Sequence, residues 1–122
     1  MSGTGPRRDD AARSTQARNT EADALFRLGA VLHGQGDGAG AVARLREAVA
    51  VVNPMRTTSL VEMLGLLATV HDDLGETDQA RSYRLRALDV CSRSGTAATR
   101  AMSEELRRAL DTPAEVRRDG HA

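Results

Sequence analysis

The sequence predicts an all-α protein built from antiparallel helical hairpins. Three observations carry that prediction. Aromatic residues are nearly absent, with Phe26, Tyr83 and no Trp in 122 residues. The core has to be assembled from Leu, Val, Ala and Met, which suits closely packed helices better than a sheet. Apolar residues recur along the chain at the spacings of three, four and seven that define one face of a helix. Finally, "HGQGDGAGAVARLREAVA" from His33 and "HDDLGETDQARSYRLRALDV" from His71 share a pattern: a Gly and an acid precede an Ala, and a second Ala follows seven residues later.

The opening segment, "MSGTGPRRDDAARSTQARNT", is polar, Arg-rich and punctuated by Gly. Disorder is expected over the first ten or so residues, with a frayed helix over 9–16, where propensity is fair but no apolar face exists. Residues 1–19 are therefore set apart from a domain spanning 20–111. Thr20 is expected to cap the first firm helix, whose face carries Leu25, Leu28, Gly29 and Leu32. "GQGDG" stops it, and Asp37 caps a second helix with Ala41, Val42, Leu45, Ala48, Val49 and Val52 on one face. Pro54 ends that helix by disfavouring the helical conformation of Asn53.

Ser59 and Glu62 form an expected capping box for a third helix running to Leu74 and stopped by Gly75. It has two apolar stripes, one of Leu60, Leu64, Leu67, Ala68 and His71, the other of Met63, Leu66 and Val70. A helix apolar over most of its circumference is buried on several sides, so this one should be central. The fourth helix starts near Thr77 and carries Ala80, Tyr83, Ala87, Leu88 and Cys91 before Gly95. The fifth, capped at Thr96, shows Met102, Leu106, Ala109 and Leu110. The tail 112–122 has a breaker at Pro113 and no apolar face, and disorder is expected there.

The two Gly-acid stretches lie at a fixed offset of 39 residues, and the agreement reaches beyond them. Gly36 matches Gly75, Asp37 matches Glu76, Ala41 matches Ala80 and Ala48 matches Ala87. Upstream, Leu25 matches Leu64, Leu28 matches Leu67, and small Gly29 matches small Ala68. The pattern resembles the tetratricopeptide repeat, a helix–turn–helix unit of about 34 residues, and is similar to the longer repeats attached to bacterial transcriptional regulators. The absence of Lys and Ile fits a GC-rich, actinobacterial-type coding sequence. Repeat one spans 22–54 and repeat two 61–94. The second departs from the family at Arg84, where a bulky apolar residue is usual, at His71, and in lacking a closing proline.

The resemblance implies hairpins stacked as a short right-handed solenoid, with residues 96–110 as a C-terminal capping helix. Such units bury their faces only by stacking. The outer face of repeat one therefore needs a cover. Either segment 9–16 folds back on it or another subunit does, and a homodimer is the favoured expectation.

Function is bounded first by exclusion. The formal net charge is zero, so no general attraction for nucleic acid is evident, and no stretch is apolar enough to span a membrane. No signal peptide is recognisable at the start, and a lone Cys91 suits a reducing compartment, so a cytoplasmic protein is expected. His33, His71 and His121 have no metal-ligand partners at helical spacing, and His71 reads as a hydrogen-bonded core residue. Cys91 lacks an activating base. "GQGDGAG" is followed by no Lys-Ser/Thr and preceded by no strand, so it reads as a helix stop and not a phosphate loop. Neither catalysis nor a cofactor or metal is expected.

The resemblance implies a concave groove lined by the first helices of successive repeats. Its inward positions are Asp23, Phe26, Ala30 and His33 in unit one, and Glu62, Gly65, Thr69 and Asp72 in unit two. The Lys and Asn residues that clamp a C-terminal carboxylate in chaperone-binding members are missing. An acidic groove with one exposed Phe would take a basic or apolar segment. Charge order adds that 62–78 holds five acids and no Arg, whereas 81–108 holds seven Arg against three acids. Opposite patches favour partner orientation or self-association. The expected function is an adaptor that binds a peptide or helix of another protein. A regulatory or sensor module of a transcription-regulatory system is the alternative, and an Arg-rich nucleic-acid-binding accessory protein is less favoured.

Overall fold

The computed structural model describes residues 8–112, with side chains from residue 10 onward. Among them are five α-helices and no strand: α1 Arg8–Gly34, α2 Gly38–Val51, α3 Thr57–Asp73, α4 Thr77–Ser94 and α5 Ala97–Asp111. The disorder expected at the two termini falls largely on residues 1–7 and 113–122, which lie outside the described residues. Helix α1 packs on α2, α2 on α3, α3 on α4 and α4 on α5, while α3 packs against all four other helices. The central role expected of that helix is met: Leu60, Val61, Met63, Leu64, Leu67 and Val70 are all buried.

The two elbows are built alike. Gly36 and Gly75 take φ of 83° and 78°, a left-handed conformation that costs a residue without Cβ nothing extra. Around them the same backbone bonds recur at the 39-residue offset. The Gly36 amide donates to the His33 carbonyl and the Asp37 amide to that of Leu32, at 3.0 and 2.9 Å. Their counterparts, Gly75 to Asp72 and Glu76 to His71, measure 3.0 and 2.8 Å. Orphan carbonyls at each helix end are thereby satisfied. The caps that follow differ. The Asp37 carboxylate accepts from the Gly40 amide at 2.9 Å, as expected of a cap. Glu76 caps nothing with its side chain, which lies 2.9 Å from Nδ1 of His71.

Small residues set the distance between helices. Ala41, Ala48, Ala80 and Ala87 have no exposed surface. A Cβ at Gly29 would come within 2.7 Å of Leu45 Cγ, so α1 and α2 touch there at backbone distance. Gly65, in the middle of α3, is the opposite case: a Cβ there would meet nothing within 4 Å.

Three expectations are overturned. Thr20 is not an N-cap: α1 runs straight through it, and its hydroxyl donates to the Gln16 carbonyl at 3.0 Å, one turn back. The polar sequence before it has adequate helical propensity and no breaker, so propagation continues to Arg8. Segment 9–16 consequently does not fold back over repeat one but extends α1, and residues 10–18 are exposed. Nor do Ser59 and Glu62 cap α3. The Asn53 side chain accepts from the Met55 amide and its carbonyl from the Arg56 amide, a turn that starts the helix at Thr57. Thr96 does cap α5, through a capping box with Thr99.

Stacking decides which matched residues are buried. Leu67 and Val70, covered by α2, have no exposed surface, whereas their matches Leu28 and Val31 on α1 are 44% and 54% exposed. Leu67→Ala should therefore cost about 3 kcal/mol and Leu28→Ala less than about 1 kcal/mol, measured by urea unfolding. The glycines give a second contrast. Gly29→Ala should lose about 1 kcal/mol, because overpacking against Leu45 exceeds the gain in helix propensity. Gly65→Ala should gain roughly 0.5–1 kcal/mol in the same assay, having propensity to gain and nothing to clash with.

Candidate functional site

Helix α3 exposes one strip of its surface. Glu62, Gly65, Leu66 and Thr69 lie at spacings of three, four and seven, hence on a single face roughly 10 Å long. This face forms the floor of a groove of about 450 Å³. Phe26 of α1 contributes one wall, and Met102, Glu105, Leu106 and Ala109 of α5 the other. Gly65 leaves the middle of the floor without a side chain, so a docking element can approach the α3 backbone closely. The Thr69 hydroxyl is turned to its own helix, donating to the Gly65 carbonyl at 3.2 Å.

Below the groove lies an ion pair that the repeat pattern does not foresee. Arg84 of α4 stands at the position matching fully buried Leu45. Its Nη1 lies 2.6 Å from Oδ2 of Asp72, with the two side chains only 8% and 15% exposed. The aliphatic stem of Arg84 takes the place of the missing Leu, and the guanidinium reaches the groove lining beside α3. A charge this buried is tolerated because it is paired; the pair itself contributes little to stability relative to apolar residues of similar volume.

The eight residues expected to line a groove divide evenly. Phe26, Glu62, Gly65 and Thr69 come together in it. Asp23 does not line it: its Oδ1 is 3.2 Å from Nη2 of Arg56, tying α1 to the start of α3. Ala30 is exposed on α1 outside the groove. His33 is held by Asp73, Nε2 to Oδ2 at 2.6 Å, which joins the ends of α1 and α3. Asp72 is withdrawn beneath the lining by Arg84. Phe26, expected to be exposed, is half-buried and packed against both apolar clusters.

The α5 wall adds residues that the sequence suggests only as a capping helix. Its stripe of Met102, Leu106 and Ala109 is legible in the sequence, but a stripe alone does not tell a wall from a cap. A second hollow lies on another side, where His71, buried and stacked on Tyr83 with ring centroids 5.4 Å apart, meets Glu76, Arg46 and Gln79. His71 is thus a hydrogen-bonded core residue, as the sequence suggests, and its Nδ1 is committed to Glu76. Cys91 is buried, and no group of three His, Cys, Asp or Glu among the described residues could hold a metal ion. No described helix is long and apolar enough to cross a membrane.

The ion pair yields a direct test. Asp72→Ala should destabilise the fold by about 3 kcal/mol, because it strands the Arg84 guanidinium in the interior. Arg84→Leu combined with Asp72→Ala should return to within about 1 kcal/mol of the parent, since Leu restores the residue type of the matching position. Chemical denaturation of the single and double variants checks both values. In comparisons with protein-family models, curated proteins and solved structures, no match is found for this chain.

Proposed function

We propose that this chain is a non-catalytic interaction module, a short tetratricopeptide-like array with α5 closing its second repeat. In this reading the concave side of the array receives a helix or peptide from a partner protein in the cytoplasm. The observation that carries it is the groove, to which the first, third and fifth helices all contribute side chains. Two repeats with the same elbow geometry and small residues at the same helix contacts support the repeat reading. The groove is concave and mainly apolar, with few polar groups, as binding sites generally are.

A peptide-display selection against the whole chain tests this. Selected peptides should shift backbone NMR signals of Glu62, Gly65, Leu66, Thr69 and Met102, and should lose at least about tenfold in affinity for Met102→Glu. Met102 is only partly buried, so the variant should retain the far-ultraviolet circular dichroism of the parent. Selected peptides that shift signals elsewhere, or a selection that returns none, would remove the groove as the site.

A further inference from the structure

We infer that the groove takes a basic amphipathic helix: one large apolar side chain inserted over Gly65, with Arg or Lys one turn to either side. The inference rests on the groove being the binding site and adds the chemistry of what enters it.

The first argument is charge. Glu62 and Glu105 are the two exposed ionisable side chains of the lining, one on the α3 floor and one on the α5 wall. Neither forms an ion pair among the described residues. The cation of the lining, Arg84, is buried and already bound to Asp72. An incoming segment therefore meets two exposed carboxylates in the lining and no exposed cation there. Such an arrangement attracts a basic partner and repels an acidic one.

The second argument is backbone accounting. An extended segment buried in the groove would need partners for its own N–H and C=O groups. Carbonyl oxygens require donors, and the side chains of the lining offer few: the Thr69 hydroxyl donates to Gly65, and the buried Arg84 guanidinium is paired with Asp72. Phe26, Val61, Leu66, Met102, Leu106 and Ala109 present only apolar surface. A helix satisfies its backbone internally and needs nothing of the groove but apolar contact.

The third argument is shape. The strip from Glu62 to Thr69 is about two helical turns long, and the bare backbone of Gly65 lies at its centre. Close approach of two helices at a small residue is what α1 and α2 already achieve at Gly29. A residue of Leu or Met size fits above Gly65 between Phe26 and the Met102–Leu106 wall. Cations four residues before and three after it share its face of the partner helix, and so are turned to the lining that carries Glu62 and Glu105.

The experiment compares two helix-stabilised peptides on the full chain by fluorescence anisotropy. One carries a central Leu with Arg four residues before and three after; the other has Glu in place of each Arg. The basic peptide should bind at least about tenfold more tightly at about 50 mM salt and lose much of that margin at about 300 mM. Glu62→Gln with Glu105→Gln should abolish the preference. Gly65→Leu should block the basic peptide while leaving the fold at least as stable, because a Cβ at this position meets nothing within 4 Å and Leu is the better helix former. Equal or tighter binding of the acidic peptide, an unchanged preference in the double Gln variant, or unchanged binding to Gly65→Leu each overturns the inference. If neither peptide binds although display selection yields groove-directed binders of other chemistry, the basic-helix inference fails and the groove stands. If selection also yields nothing, both fail.

Discussion

A core with almost no aromatic side chains has little area per residue to bury, and this chain compensates by bringing helix backbones close together. Ala41, Ala48, Ala80 and Ala87 are wholly buried at the contacts, and Gly29 lies directly against Leu45. Close approach lets the Leu and Val side chains of α3 reach the first hairpin and α4 at once. Dispersion contacts, small singly and large in sum, then do what a few aromatic rings do in other cores. The rest of the architecture follows from α3 being enclosed this way. Its neighbours must be antiparallel and near, and the elbows must turn the chain within a few residues.

The repeat is strict where the backbone turns and loose where side chains pack. The elbow hydrogen bonds of the two hairpins agree to 0.1 Å, but Leu45 is answered by Arg84 and exposed Leu28 by buried Leu67. An elbow has one low-energy solution that a Gly and a following acid specify locally. Packing positions answer to whatever lies beside them, which differs between the first and second hairpin. Arg84 is tolerated in the second because Asp72, on the adjoining helix, is within ion-pair distance. The exchange places a buried cation beneath the groove and withdraws one acid from it. The exposed charges left in the lining are Glu62 and Glu105.

Exposure along α1 shows the same dependence on neighbours. Its apolar face repeats that of α3, yet among the described residues no helix covers its outer side, and Leu28 and Val31 are exposed. Toward its start the helix continues through residues 10–18, all of them exposed, with no apolar face to require a partner. The groove side of α1 is committed differently, through Phe26 against the core and Asp23 to Arg56. One helix thus carries a packed face, a groove wall and an uncovered face.

By itself the sequence determined the helical class, the position of each elbow and the identity of the central helix. These depend on short-range rules: apolar period, left-handed Gly, acid or hydroxyl at a cap. It read Asp37 and Thr96 correctly as caps and misread Thr20 and Ser59, since a capping residue becomes an ordinary helical one when the chain before it is already helical. Half of the positions that the tetratricopeptide resemblance implies face inward, Phe26, Glu62, Gly65 and Thr69, line one groove. What only the tertiary structure decided was the other half. Asp23, His33 and Asp72 have the same residue types whether open or paired. Their partners Arg56, Asp73 and Arg84 each come from a different element of the chain. The wall formed by α5 depends on how that helix lies across α3 and α4, and no local spacing encodes that.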